Sequence, residues 1–168
     1  EIVARFLPRA VADTSDDEAR GQMLLASSMA GIGFGNAGVH LPHGMSYPVA
    51  GMVRKYKAPG YSVDHPLVPH GMSVILHTPA VVRFTAPTNP ERHLRAAQAL
   101  GAQCLLTWHD NAGEILAERV VHFMRQLGMP GGRFEISIDS DAEAEPQAAG
   151  SDRVEFLVSA NPGEPVKP

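Results

Sequence analysis

The sequence predicts a mainly α-helical bundle that ends in a short β-hairpin, and three observations support this fold class. Apolar residues recur at helical spacing along most of the chain. Prolines and capping residues stand where helices of ordinary length would begin. Residues 133–139 and 153–158 instead alternate apolar and polar residues with a period of two, which is typical of strands. We therefore expect a helical domain over residues 1–130 and a two-stranded appendage with a turn-rich tail over residues 131–168.

Six stretches of the first domain are expected to be helical. They are residues 2–12, 16 to about 31, 39–55, 66–86, 90–100, and a last helix capped by Asp110 or Asn111. Pro8 interrupts the first stretch and either kinks it or marks a boundary. The sequence Ser15-Asp-Asp-Glu18 has the pattern of a capping box, which predicts that a helix follows. Residues 24–30 are apolar or small on every side of that helix, so we expect them to be buried.

Composition excludes several classes of protein. The 168 residues are 44% hydrophobic, which is enough for a sizeable core, and the net charge of −4 gives no footprint for nucleic acid or for an anionic membrane. No apolar run reaches the length of about 18 residues that a membrane span needs. Cys104 is the single cysteine, which excludes disulfide scaffolds within one chain and is compatible with a reducing compartment such as the cytoplasm. The chain starts with Glu1 and has no signal-peptide layout, which we interpret as an internal cut with sequence missing upstream.

The histidines are the residues most able to carry chemistry. His40 and His43 are three positions apart, His65 and His70 are five apart, and His77 follows two helical turns after His70. Both His43 and His70 stand in the sequence Pro-His-Gly-Met, in which the glycine allows a backbone or a ligand to approach closely. Imidazole suits divalent iron, zinc or nickel, so any metal site here would be of nitrogen and oxygen type. The alternative is that these are polar side chains satisfied at helix starts, since no short motif such as His-Glu-x-x-His is present.

Two further patterns have weaker functional interpretations. Four glycines between residues 31 and 38 loosely match a dinucleotide-binding loop, but no strand precedes them, which favours close helix packing. Glu118 and His122 have the spacing of a helical metal-ligand pair. They lie largely off the apolar stripe of their helix, which favours a solvated surface.

Two segments together resemble the iron-containing alcohol dehydrogenase family. They are residues 30–48, AGIGFGNAGVHLPHGMSYP, and residues 64–71, DHPLVPHG. Within the family, the resemblance is best to the branch of hydroxyacid-oxoacid transhydrogenases. It continues through residues 90–94, PERHL, fades after Met129, and so covers about two thirds of the chain.

The resemblance implies a fold, a cofactor set and a site. Members have an amino-terminal nucleotide-binding domain and a carboxy-terminal helical domain, with one divalent metal, iron or zinc, held between them by one Asp and three His. His43 and His70 match two of these ligands, whereas the Asp-x-x-x-His that supplies the other two and the phosphate-binding loop for NAD do not occur in this sequence. Tyr47 occupies the position near the substrate where many relatives carry a His. The resemblance also implies hydroxy-acid and oxo-acid substrates, and a mitochondrial location for eukaryotic members.

The tail resembles a different family. Residues 131–136 and 152–168 are similar to a stretch of bacterial RecN-type DNA repair ATPases that carries no nucleotide-binding residue, which suggests a fused, recombined or artificial sequence. Three functional hypotheses result. The chain is a fragment of a metal- and NAD-dependent oxidoreductase that is inactive alone, or a catalytically silent helical module that binds a divalent ion weakly, or a chimeric piece related to a DNA repair ATPase. Neither nucleic acid nor a membrane is an expected partner, and homo-oligomerisation is left open.

Overall fold

The computed structural model describes residues 1–129 and the backbone of residues 133–140 and 152–159, and the chain divides into two units, Glu1–Gly128 and Met129–Pro168. In its described part the first unit is helical. Its elements are α1 (Ile2–Ala12), α2 (Asp17–Ala37), α3 (Leu41–Met52), α4 (His70–Ile75), α5 (Thr78–Thr85), α6 (Pro90–Ala99) and α7 (Ala112–Gln126), with 3₁₀ turns at Ala86–Thr88 and His109–Asn111. The predicted mainly helical fold class is confirmed. Within the described residues, no helix is both long and apolar enough to cross a membrane.

The start of α2 is held by a charged cap. The carboxylate of Asp16 accepts a hydrogen bond from the Ala19 N–H at 2.9 Å, and the Arg9 guanidinium donates to the same carboxylate. These bonds, the one from Ala19 first, lower the pKa of Asp16. The predicted cap at Ser15 is therefore wrong by one residue, because the Ser15 hydroxyl is used in a bond to Asp13 at 2.6 Å. Pro8 lies inside α1 without ending it.

The burial predicted for residues 24–30 is wrong. Helix α2 runs on to Ala37, and Ala19 is its buried residue, whereas Leu24 and Met29 are 73% and 56% exposed. Between Gly21 and Ala37 the helix carries no charged residue. The physical reason is that an apolar composition predicts burial only if another element covers the helix. We call residues 24–25 and 27–37 the apolar end of α2.

The single helix predicted over residues 66–86 is also wrong, because prolines divide it. Pro66 and Pro69 keep the residues before them extended, so α4 begins only at His70. Pro79 has no N–H to bond the Ile75 carbonyl, and the chain turns at Leu76 before α5 begins. Ahead of α4, the Leu67 N–H donates to the Tyr56 carbonyl at 2.8 Å, which ties the loop between α3 and α4 together.

The core of the first unit lies where α5, α6 and α7 meet. Leu94 and Ala112 are fully buried and pack with Ala86. Helices α5 and α7 approach closely at Gly113, and the pair is joined by an ion pair in which the Arg83 guanidinium donates to the Glu114 carboxylate at 2.7 Å. Two residues separate α5 from α4, which packs mainly against α3.

The second unit contains the predicted hairpin. Strands β1 (Arg133–Ser140) and β2 (Asp152–Ser159) pair antiparallel, and the register places Phe134, Ile136 and Ile138 opposite Val158, Phe156 and Val154. Apolar positions therefore pair with apolar positions along the hairpin. The loop at 141–151 and the tail at 160–168 lie outside the described residues.

Candidate metal centre

The two histidines that share the Pro-His-Gly-Met sequence lie together. His43 is in the first turn of α3 and His70 is the first residue of α4, and these two helices pack against each other. The ring centroids are 4.7 Å apart and the ring planes are inclined at 74°. The fold thus joins two imidazoles that are 27 positions apart in the sequence.

The spacing of the pair fits a shared metal ion. Two imidazoles that ligate one ion through bonds of about 2 Å have ring centroids about 5 Å apart. His70 is exposed and His43 is half-buried, so an ion can reach both rings from solvent. Among the described residues, no group of three or more His, Cys, Asp or Glu side chains is placed to hold a metal. Within these residues, His43 and His70 are therefore two candidate ligands without a third.

Tyr47 completes an aromatic cluster around the pair. It lies one helical turn after His43, and its hydroxyl is 3.4 Å from His43 Nε2, to which it donates when that nitrogen carries no proton. Its ring centroid is 5.7 Å from that of His43 and 6.4 Å from that of His70. The side chain is 63% exposed, so the phenol stands at the open side of the histidine pair.

The other histidines do not join the pair. His40 is exposed at the cap of α3, and exposed His65 bonds the neighbouring Asp64. His77 is buried, and loss of hydration lowers the pKa of its imidazole, although a hydrogen bond with the Ser73 backbone opposes this. His122 lies exposed on α7, in agreement with the solvated-surface interpretation.

Two serines next to the site were not identified from the sequence. Ser46 and Ser73 are fully buried, and each follows a site histidine by three positions. The Ser46 hydroxyl donates to the His43 carbonyl at 2.6 Å, and the Ser73 hydroxyl donates to the His70 carbonyl at 2.7 Å. The signal was available, because the shared sequence Pro-His-Gly-Met extends by one residue to Pro-His-Gly-Met-Ser in both copies.

The glycines that follow the two histidines face open space. A Cβ added at Gly44 or at Gly71 would meet no atom within 4 Å. No backbone of the described chain makes the close approach that the sequence suggested at these positions. The open space beside each glycine leaves room for a ligand or for another part of the protein.

Comparison with known proteins identifies the family. The family model for the carboxy-terminal part of the Fe-containing alcohol dehydrogenase family matches residues 1–165. A mitochondrial hydroxyacid-oxoacid transhydrogenase of Rattus norvegicus is 53% identical over 140 residues, which cover 83% of this chain and 30% of the relative. The Homo sapiens protein of that name is 56% identical over 131 residues, covering 78% and 28%. A probable member from Dictyostelium discoideum is 48% identical over 133 residues, covering 79% and 24%. No solved structure gives a significant match.

The matches include most of the tail of this chain but only part of each relative. The family model continues through the tail to residue 165, so these comparisons give no support to the expected resemblance of the tail to RecN-type DNA repair ATPases. The chain spans less than a third of the length of the relatives described. Because the family model matches nearly the whole chain and these relatives are about half identical to it, the chain belongs to the iron-containing alcohol dehydrogenase family, in the hydroxyacid-oxoacid transhydrogenase branch. It corresponds to the carboxy-terminal helical domain of that family.

Proposed function

We propose that this chain is the metal-holding helical part of a metal- and NAD-dependent hydroxyacid-oxoacid transhydrogenase, and that His43 and His70 are two of its metal ligands. The observation that carries the proposal is the 4.7 Å separation of two imidazoles that the sequence places 27 residues apart. Relatives that are more than half identical to this chain bear that enzyme's name, which supports the same reaction class here.

In this role the two histidines would act as neutral ligands, each through the lone pair of a ring nitrogen. When bound, a divalent ion such as iron or zinc supplies Lewis-acid polarisation of a substrate oxygen. His43 and His70 would hold such an ion through their ring nitrogens. Once an ion takes the place of the Tyr47 hydroxyl at His43, that exposed hydroxyl would be free to donate a hydrogen bond to the oxygen of a hydroxy or oxo acid bound next to the pair. The phenol would thus orient the substrate.

The remaining parts of the site belong to a second domain. Two imidazoles hold an ion far less firmly than four ligands that include a carboxylate, and this sequence carries no phosphate-binding loop for NAD. The apolar end of α2, which is exposed in this chain, gives a large surface for the nucleotide-binding domain to cover. The reducing compartment of such an enzyme would be the cytoplasm in a bacterium, and the rat and human relatives are named as mitochondrial.

Isothermal calorimetry with zinc and with ferrous iron tests the ligand assignment. We expect weak binding by the 168-residue chain and its loss in His43→Ala and in His70→Ala, because a single imidazole leaves the ion almost fully hydrated. His122→Ala is the matched control, since His122 is an exposed helical histidine like His70 but lies on α7. Tight binding that persists in both alanine variants would place the metal elsewhere.

A second experiment separates the alternative of a catalytically silent helical module. The two-ligand geometry favours this alternative for the chain in isolation, since both weak binding and lack of turnover are expected of it. Supplying the nucleotide-binding domain of a relative in trans distinguishes the two functions. Nicotinamide reduction restored by that domain supports the oxidoreductase, whereas continued silence with bound metal supports the module.

A further inference from the structure

Each site histidine is embedded in the same five-residue sequence. Residues 42–46 and residues 69–73 both read Pro-His-Gly-Met-Ser. The serines that end the two copies, Ser46 and Ser73, are 0% exposed and, with His77, are the buried polar side chains in the described part of the chain. Burying a hydroxyl is unfavourable unless a hydrogen bond replaces its hydration, so alanine would be the simpler residue if the position only filled space.

The two hydroxyls make the same bond at the same offset. Each donates to the carbonyl of the histidine three positions earlier, at 2.6 Å for Ser46 and at 2.7 Å for Ser73. In the second copy the Ser73 N–H also donates to the Pro69 carbonyl at 3.0 Å. Ser73 is therefore hydrogen-bonded to two successive carbonyl groups in the first turn of α4, one on each side of the His70 Cα.

The histidine backbones need such support because they stand at helix starts. Helix α4 has only six residues, and a helix this short has little stability of its own. A carbonyl held by a side-chain hydroxyl cannot swing freely, and the orientation of that peptide unit sets the direction of the Cα–Cβ bond. The distance between two imidazoles on different helices depends on both of these directions.

The geometry points to Ser46 and Ser73 as paired positioning residues that hold the His43 and His70 rings at the separation needed to share one metal ion. The inference rests on the proposed function, because it assigns the metal to this pair. Neither serine touches the ion or the substrate; each acts through the backbone of the histidine that it bonds. Their burial on α3 and α4, which pack together, links the two halves of the site.

The test compares Ser46→Ala and Ser73→Ala with Ser28→Ala in the 168-residue chain. Ser28 is the matched control, because its hydroxyl also donates to a helical carbonyl, that of Leu24 at 3.1 Å, but on exposed α2. Zinc affinity measured by calorimetry should fall at least about 10-fold in the first two variants, as for other groups that orient metal ligands, and should stay unchanged in the control. Thermal unfolding midpoints close to that of the parent would show that the loss is one of positioning.

A second readout does not depend on metal. The nuclear Overhauser contact between the ring protons of His43 and His70 should be present in the parent and weakened in both alanine variants. Unchanged zinc affinity with an unchanged ring contact would overturn the positioning role. A parent chain that shows the ring contact but binds no zinc would instead defeat the proposed function, and the ring contact alone would then decide the role of the serines. If an alanine variant fails to fold, the cysteine variant, a weaker donor of similar size, should show the same weakened contact.

Discussion

Gly113 allows α5 and α7 to approach each other, and it offers the sharpest test of the packing described above. A Cβ added at this position would lie 2.8 Å from the Cα of Arg83, 3.0 Å from the Cβ of Ala86 and 3.2 Å from the Val82 carbonyl oxygen. Two of these three atoms belong to the backbone, so the clash cannot be relieved by rotation of a side chain. In Gly113→Ala the two helices must move apart.

The net effect follows from two opposing contributions. Overpacking of a well-packed interior costs about 1 to 3 kcal/mol. Alanine returns at most about 1 kcal/mol through its better helix propensity. We expect Gly113→Ala to lose about 1 to 2 kcal/mol of unfolding free energy and to lower the melting temperature by roughly 4 to 8 °C.

The matched control is Gly21→Ala. Gly21 is also helical, but a Cβ added there meets nothing within 4 Å, so the same substitution should leave stability unchanged or raise it by up to about 1 kcal/mol. Urea denaturation and calorimetric melting of both variants provide the measurement. A Gly113→Ala protein as stable as the parent, beside a normal control, would refute the close crossing of α5 and α7.

Three other predictions concern pH, activity and the tail. Burial lowers the pKa of His77 below its ordinary value of 6.5, so the unfolded chain binds a proton more readily than the folded chain. The free energy of unfolding should therefore fall as the pH drops through 6.5, and it should fall less steeply in His77→Leu. Urea unfolding at several pH values measures this, and parallel profiles for the two proteins would contradict it. The purified, metal-supplemented chain should not reduce NAD with 4-hydroxybutyrate, because this sequence carries no phosphate-binding loop to orient the dinucleotide. Absorbance at 340 nm that rises above a no-protein blank would show otherwise. Truncation after Gly128 should change the melting temperature by less than about 5 °C if the hairpin is an appendage, and a larger decrease would reveal an integrated core.

The sequence was sufficient to predict the histidine pair and the helical class. The pair is predictable because both histidines lie in the same four-residue sequence, Pro-His-Gly-Met, and because the family resemblance implies that both ligate one ion. Helix existence followed from apolar spacing, as in α7, whose buried residues include Leu116, Val120 and Met124 at intervals of four. Local sequence determines helix formation, whereas the pairing of the two histidines rests on the family resemblance.

Two of the failures concern packing that a single segment does not reveal, and the third concerns a local signal masked by a stronger one. The burial of residues 24–30 depends on a covering partner, which the helix sequence cannot supply. The break between α4 and α5 had a local signal in Pro79, but the apolar periodicity of residues 66–86 concealed it. Ser46 and Ser73 escaped notice because a serine in a helix is ordinarily a surface residue, and only the three-dimensional packing reveals that these two are buried.

The exposure of the apolar end of α2 predicts that this segment opens before the rest of the helical unit. No residue of α2 beyond Ala19 is buried, and Gly31, Gly33 and Gly35 each weaken a helix by roughly 1 kcal/mol relative to alanine. Local opening of this segment should therefore need far less free energy than global unfolding, and its amides should exchange with deuterium long before those of α7. Residues 38–40 connect the segment to α3, so each opening should also loosen the start of the helix that carries His43. A domain that covers this end of α2 and slows its exchange would therefore also stabilise the start of α3, where His43 lies.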